Sequence, residues 1–327
     1  MSNIGAREYI DFLRAKCDLE GMERVRHSEA VRVSDDYLKS IGITPCNDMS
    51  VTDILNAKTD ILVKRMADAL RRLDLTMTKV PQIALLPTED FNAWATVAPN
   101  GDPICILDPG LSYSLLHFSW SLAEATIQPP GSTVEPDHVK CCFGAIAACE
   151  EIVYGGHEPA RQYLRSADFR VNESWFMFGV FFARAIESFI LSHEFAHHIR
   201  GHVNSLRKDV LQRHSTQQSI NVYNRSQLEE FEADRIGADI FLATEPEMYS
   251  PHFACGPLVF FDYLSFAEKF IIKNPSSLTH PAAQERKIRL ETYLWNRLPS
   301  EARDYYRVTP PFWKLVERTK ELFTHNP

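Results

Sequence analysis

Two histidines and a glutamate in the middle of the chain have a spacing that suits metal chemistry. His193 and His197 are four residues apart, and Glu194 follows the first of them. An α-helix turns about 100° per residue, so on a helix the two imidazoles point the same way and can share one metal ion. Glu194 then lies at the edge of that face, where it can reach a water molecule on the metal. This is the HExxH arrangement, in which zinc activates water for hydrolysis.

The residues before this motif favour a buried helix over one with a solvated histidine stripe. An apolar helical pattern runs over residues 175–200, and its phenylalanines lie on the face that continues into the histidines. Buried imidazoles need partners, and a metal ion satisfies both of them. Gly201 is typical of the position just after a helix end. His198 and His202 lie off the metal-facing side and are interpreted as non-ligands.

A catalytic zinc site needs a third protein ligand and leaves a fourth position for water. A second helix is predicted from Ser226, which forms a capping-box pattern with Glu229. Glu230 and Asp234 are four residues apart on it, so both can face the first helix. We interpret Glu230 as the third ligand and Asp234 as the acceptor that holds the free N–H of a ligand histidine. The alternative is a solvated acidic face, but carboxylates crowded this closely repel each other unless a cation is near.

Three segments together resemble the HtpX and CAAX-prenyl-protease class of gluzincin metallopeptidases. They are residues 193–197, with His202 at the spacing where that class often has another histidine, then residues 226–234, and the run Thr279-His280-Pro281 followed by Glu285-Arg286. A weaker likeness, Asn92-Ala93-Trp94-Ala95, matches the hairpin that precedes the metal helix in that class. The resemblance covers about residues 80–290 and matches Glu230 to the third zinc ligand. It implies a zincin-like catalytic core, one Zn²⁺ per chain and a protein or peptide substrate.

The expected reaction is hydrolysis of a peptide bond by a metal-activated water. Zinc held by His193, His197 and Glu230 lowers the pKa of its bound water toward ~7. Glu194 takes that proton and passes it to the leaving amine, as a general base and then a general acid. Three residues are candidates for the donor that stabilises the oxyanion: Tyr223, His280 and Arg286. For His280 and Arg286 the structural alternatives are a helix cap and a surface ion pair.

The elements that position these residues are predicted to form an α+β, mostly helical fold. Residues 1–78 are interpreted as an N-terminal helical region, and 79–327 as a metallopeptidase domain with a long insertion at about 111–174. Short apolar runs on both sides of the Pro99–Asp102 turn signal predict a small antiparallel sheet beside the metal helix. The resemblance places Asn92, Ala93 and Trp94 on its edge strand, where an extended peptide pairs by β-augmentation. An ordinary buried hairpin is the alternative.

Composition excludes several broad classes of function. The net charge is −8 and no basic stretch offsets it, which argues against a general nucleic-acid binder. The first residues carry charges and lack the apolar stretch of a secretory signal. The longest uncharged apolar run, residues 175–183, is far shorter than the ~20 residues that span a bilayer. The 7 cysteines include no C-x-x-C pair, which favours a reducing compartment. We therefore predict a cytoplasmic protein without a membrane span.

The chain also departs from the gluzincin class that it resembles. It lacks membrane helices, Gln227 stands where an arginine is common, and the insertion is longer than usual. Two other functions therefore stay open. One is a tightly gated protease of the phage-exclusion type, which cuts one host protein when a regulatory partner or trigger acts. The other is a non-catalytic, zinc-stabilised interaction module, although a purely structural site has no use for Glu194.

Overall fold

The protein has an α+β fold that is mostly helical, as predicted. A computed structural model describes residues 4–15, 51–86, 93–127, 137–154, 159–160, 162–163, 173–204, 208–212, 219–223, 227–244, 251–271 and 281–325. The helices are α1 (Ala6–Arg14), α2 (Val51–Arg72), α3 (Pro109–Thr126), α4 (His138–Tyr154), α5 (Glu173–Ile199), α6 (Gln227–Thr244), α7 (Gly256–Phe270), α8 (Ala283–Leu294) and α9 (Ser300–His325). The strands are β1 (Gln82–Leu85), β2 (Ala93–Val97), β3 (Pro103–Leu107), β4 (Lys208–Gln212) and β5 (Ser219–Tyr223).

A three-stranded sheet with the order β1-β3-β2 contains the predicted hairpin. β2 and β3 are antiparallel and pair from Ala93 with Leu107 to Val97 with Pro103. Their turn contains Gly101 at φ 87°, a left-handed conformation that suits glycine. β1 pairs with the other edge of β3 in parallel, so the prediction of an antiparallel sheet is wrong for this strand. Only the tight turn has a local sequence signal, whereas parallel pairing depends on how the chain crosses the sheet.

The first of two compact units contains this sheet. It comprises Met1–Thr88, Asn92–Pro109 and Ile190–Thr244. α1 and the sheet bury one apolar cluster, to which Ile10, Leu13 and Ile106 contribute. α2 packs on β1 and on α6. The described helices of the predicted N-terminal region therefore share a core with the sheet and with α6.

The second unit comprises Glu89–Phe91, Gly110–Phe189 and Glu245–Pro327. Aromatic rings from three helices meet in its core. The ring centroid of Phe118 on α3 lies 4.5 Å from that of Tyr263 on α7 and 5.5 Å from that of Trp313 on α9. The apolar run over residues 139–154 predicts a helix, which is present as α4. The prolines and glycine of residues 128–136 predict a loop, which lies outside the described residues.

Among the residues that the structure describes, no helix is both long enough and apolar enough to cross a membrane.

Helix α3 buries a histidine whose protonation opposes folding. His117 lies between the rings of Tyr113 and Trp120, at centroid distances of 4.5 and 5.1 Å. Burial lowers its pKa from 6.5 to about 3. Below pH 6.5 the unfolded chain therefore binds a proton that the folded protein does not bind until about pH 3. Acidification through this window favours the unfolded state.

The free energy of unfolding should fall less steeply from pH 6.5 to pH 4 in His117→Phe than in the wild type. The variant takes up one proton fewer on unfolding, so its slope of unfolding free energy against pH should be smaller by about 1.4 kcal/mol per pH unit. Urea denaturation followed by circular dichroism at several pH values measures this slope. The exposed His138 supplies the control, since His138→Phe makes the same replacement at a position that is not buried. Equal slopes in wild type and His117→Phe would contradict the assignment.

Candidate metal site

The C-terminal part of α5 places two imidazoles side by side in the protein interior. The Nε2 atoms of His193 and His197 lie 3.1 Å apart, and both side chains are buried. Glu194 is buried next to them, with Oε1 3.9 Å from Nε2 of His193. One donor atom from each of the three residues lies within 4.8 Å of the other two. This buried group could hold a metal ion.

Helix α6 brings two carboxylates against the same imidazoles. Glu230 is fully buried, and its Oε2 and Oε1 lie 3.4 Å from Nε2 of His193 and 3.6 Å from Nε2 of His197. Asp234, one turn later, places Oδ1 3.0 Å from Nδ1 of His193. Both carboxylates are therefore part of the interior and not of a solvated acidic face. Glu230 and Asp234 are about one helical turn apart, so both carboxylates lie on the same face of α6.

The close approach of α6 to α5 depends on a glycine. A Cβ atom at Gly237 would lie 2.8 Å from both the Cα and the N atom of His193. Real Cβ atoms essentially never come so close to backbone. Elsewhere in this unit, Ser192 Oγ donates to Met66 Sδ at 3.4 Å, which fixes α5 on α2. The backbones of α5 and α6 can thus lie near enough for short carboxylate side chains to reach the imidazoles.

The sheet is held to the same helix. Nε2 of His198 donates to the backbone carbonyl of Ile104 in β3 at 3.0 Å. His198 therefore points away from the group that could hold a metal and anchors α5 on the sheet. This hydrogen bond helps to hold the three-stranded sheet beside α5, the helix that carries the motif.

The surroundings of His193 favour positive charge. Burial by itself lowers its pKa, but hydrogen bonds to Asp234 and Glu230 together outweigh burial and raise the pKa to about 9. Two buried carboxylates thus stabilise a cation at the ring nitrogens. A metal ion there would meet the same compensating charge.

A second imidazole contact, which the sequence did not predict, lies just beyond the end of α5. Gly201 has φ 70°, which lets the chain reverse, so that Nδ1 of His202 lies 2.9 Å from Nδ1 of His197. His202 is not in the group that could hold a metal. Its Nε2 lies 3.2 Å from Oε2 of Glu232 on α6, whose Oε1 accepts from Arg200 at 2.7 Å. The sequence signal for this residue was its spacing from the motif, at which the class that the chain resembles often has another histidine.

The hairpin residues that the resemblance implicated lie on an edge strand. β2 is at one edge of the three-stranded sheet. Ala93 is buried there and pairs with Leu107, and Trp94 is partly buried against the cluster formed by α1 and the sheet. Asn92 lies outside the described residues.

The roles of the three candidates for an oxyanion donor stay predictions, because the described residues do not place these side chains relative to the histidines. Tyr223 ends β5, where its backbone pairs with that of Lys208, and its side chain is outside the described part of the chain. His280 also lies outside it. Arg286 belongs to the other unit, where its guanidinium lies 4.8 Å from the ring centroid of Phe261. One of its contacts is thus a cation–π interaction within that unit.

We expect Gly237→Ala to destabilise the protein by about 1–3 kcal/mol, the usual result of overpacking a close contact. The added methyl group would separate α6 from α5, so affinity for Co²⁺ should fall as well. Urea denaturation and a metal titration measure the two effects. Gly5→Ala is the matched control, since a Cβ there meets its nearest side-chain atom at an ordinary 3.5 Å. A Gly237→Ala protein with unchanged stability would refute the close approach.

We expect Glu230→Gln to weaken Co²⁺ binding strongly, because an amide is a poor metal ligand. The loss should exceed ~10- to 100-fold, which is the usual effect of removing a residue that only orients a metal ligand. Competition with a chromophoric chelator gives the dissociation constant. Glu229→Gln changes a neighbouring, partly exposed carboxylate and should bind Co²⁺ as wild type does. Equal affinities in the two variants would exclude Glu230 as a ligand.

The chain matches no protein-family model, no curated protein and no solved structure. The resemblance to the HtpX and CAAX-prenyl-protease class therefore stays a prediction from its motifs. The geometry shows a buried His193, Glu194 and His197 group that could hold a metal ion, with two carboxylates of α6 against it.

Proposed function

We propose that the protein is a zinc-dependent endopeptidase whose metal is held by His193, His197 and Glu230. The observation that carries the proposal is the set of distances among the donor atoms of three side chains. The two Nε2 atoms are 3.1 Å apart, Oε2 of Glu230 lies 3.4 Å from Nε2 of His193, and Oε1 of Glu230 lies 3.6 Å from Nε2 of His197. Donors at the usual 2.0–2.1 Å from a tetrahedral zinc lie about 3.3–3.5 Å apart. The three side chains thus need little adjustment to surround one ion.

The kinds of donor also fit zinc. Two imidazoles and one carboxylate make up the ligand set of many catalytic zinc sites, which keep a fourth position for water. A structural zinc site is instead closed by four protein ligands. When bound, zinc would supply a Lewis acid that polarises a substrate carbonyl and acidifies a water molecule.

The remaining side chains supply orientation and proton transfer. Oδ1 of Asp234 lies 3.0 Å from Nδ1 of His193, where it would accept a hydrogen bond from that nitrogen and so leave the lone pair of Nε2 for the metal. Glu194 is buried beside the ligand atoms without being needed as the third ligand. Its carboxylate would take a proton from the attacking water and deliver it to the leaving amine. Burial strengthens each of these electrostatic interactions, because little water competes with them.

We propose a peptide as the substrate class, because the motifs that carry the resemblance belong to a class of peptidases. The sheet beside the proposed metal site is consistent with that class, since His198 ties it to the helix that carries the histidines. The cytoplasmic location, the gated protease and the interaction module stay predictions from the sequence alone.

We expect Glu194→Gln to bind metal as wild type does and to lose at least ~100-fold in peptidase rate, the usual scale for removal of a general base. Two measurements are needed: metal content by elemental mass spectrometry, and hydrolysis of a fluorogenic peptide library. Glu229→Gln is the control and should retain both metal and rate. Undiminished hydrolysis by the Glu194→Gln protein would overturn the assigned role.

A further inference from the structure

We propose that His202 and Glu232 are positioning residues that hold the metal ligand His197 in its metal-binding tautomer. The inference rests on the metal site of the proposed function and extends it to residues that touch no substrate. It concerns metal affinity and coordination geometry, so its test does not depend on peptidase activity.

The hydrogen-bond directions follow from one requirement. His197 can bind a metal through Nε2 only if its proton is on Nδ1. That N–H faces Nδ1 of His202 at 2.9 Å, so His202 must accept. The proton of His202 is then on Nε2, from which it donates to Oε2 of Glu232 at 3.2 Å. Every group in this series of hydrogen bonds has a compatible partner in this one arrangement.

The series of hydrogen bonds ends at Glu232, whose carboxylate is partly exposed to solvent. Arg200 donates to Oε1 of Glu232 at 2.7 Å, with about half of its own side chain exposed. Glu232 is 29% exposed, His202 is 8% exposed and His197 is fully buried. A neutral imidazole thus connects the buried ligand to a carboxylate that need not be buried itself. This matters because Glu230, Asp234 and Glu194 already crowd the interior with acidic groups, and a further buried carboxylate would repel them.

The two ligand histidines are therefore oriented in different ways. His193 has a carboxylate directly on Nδ1, from Asp234. His197 has an imidazole on Nδ1, which connects it to Glu232, a carboxylate of the same helix α6. Both ligands gain a partner that fixes the ring and its proton, which is what metal-bound histidines require.

The backbone at the end of α5 supports this arrangement. The N–H of Gly201 donates to the carbonyl of His198 at 3.1 Å, and the φ of 70° at Gly201 reverses the chain. His202 then begins a short 3₁₀ turn, His202–Asn204. A residue with a Cβ atom would be strained at position 201, so glycine there favours the chain reversal that places His202 against His197.

The test compares His202→Phe with His202→Asn, with Co²⁺ as the probe. Phenylalanine fills the space of the imidazole but accepts no hydrogen bond, so we expect ~10- to 100-fold weaker Co²⁺ binding and an altered visible spectrum of the bound ion. The amide oxygen of asparagine can replace Nδ1 as the acceptor, so His202→Asn should recover most of the affinity and the wild-type spectrum. Glu232→Gln should lower affinity less than His202→Phe does, and Glu229→Gln should not change it.

The outcomes separate this inference from the proposed function. Tight Co²⁺ binding by wild type with equal affinity in His202→Phe would overturn the positioning role and leave the metal site standing. Absence of Co²⁺ binding by wild type would overturn both. Urea denaturation of the metal-free proteins identifies a merely structural role, in which His202→Phe and His202→Asn lose stability alike and bind Co²⁺ alike. Should His202→Phe fail to fold, Gly201→Ala keeps the imidazole but displaces it, and undiminished affinity there would count against the proposal.

Discussion

The interaction on which the first unit depends is the contact of buried carboxylates with buried imidazoles. Glu230 and Asp234 are almost without solvent, and a buried carboxylate is costly unless positive charge or hydrogen bonds compensate it. His193 supplies that compensation, since both carboxylates lie within 3.4 Å of one of its ring nitrogens. The contact requires α5 and α6 to lie close together, which only the missing side chain of Gly237 allows. Backbone packing and charge compensation therefore depend on each other here.

Around this contact, each neighbouring element has one defined task. α2 holds α5 through Met66 and holds the end of α6 through Arg72, which donates to the carbonyl of Ala243 at 2.7 Å. β3 holds α5 through His198. A set of donor atoms keeps its geometry only if the helices that carry them do not shift, and these contacts resist such shifts from several sides. The rigid support suits a site that must be preorganised.

Helical periodicity made part of the site predictable from the amino-acid sequence. The spacing of His193 and His197, and of Glu230 and Asp234, is enough to tell which residues share a helix face. The hairpin of β2 and β3 had its own turn signal. The parallel pairing of β1 and the role of His202 had no periodic signal, because both depend on where the chain goes after a turn. Arg286 lies over the ring of Phe261, and its role as an oxyanion donor stays a prediction from the motif.

The donor atoms proposed for the metal come from two helices, with more than thirty residues between His197 and Glu230. An ion bound by both would link segments that the unfolded chain keeps far apart, so it would bind the native chain far better than the unfolded one. Free metal at one hundred times its dissociation constant adds about 2.7 kcal/mol to the stability of such a protein. The supply of metal in the cell would then set how long the chain survives degradation, and scarcity would lower its abundance before it limited turnover.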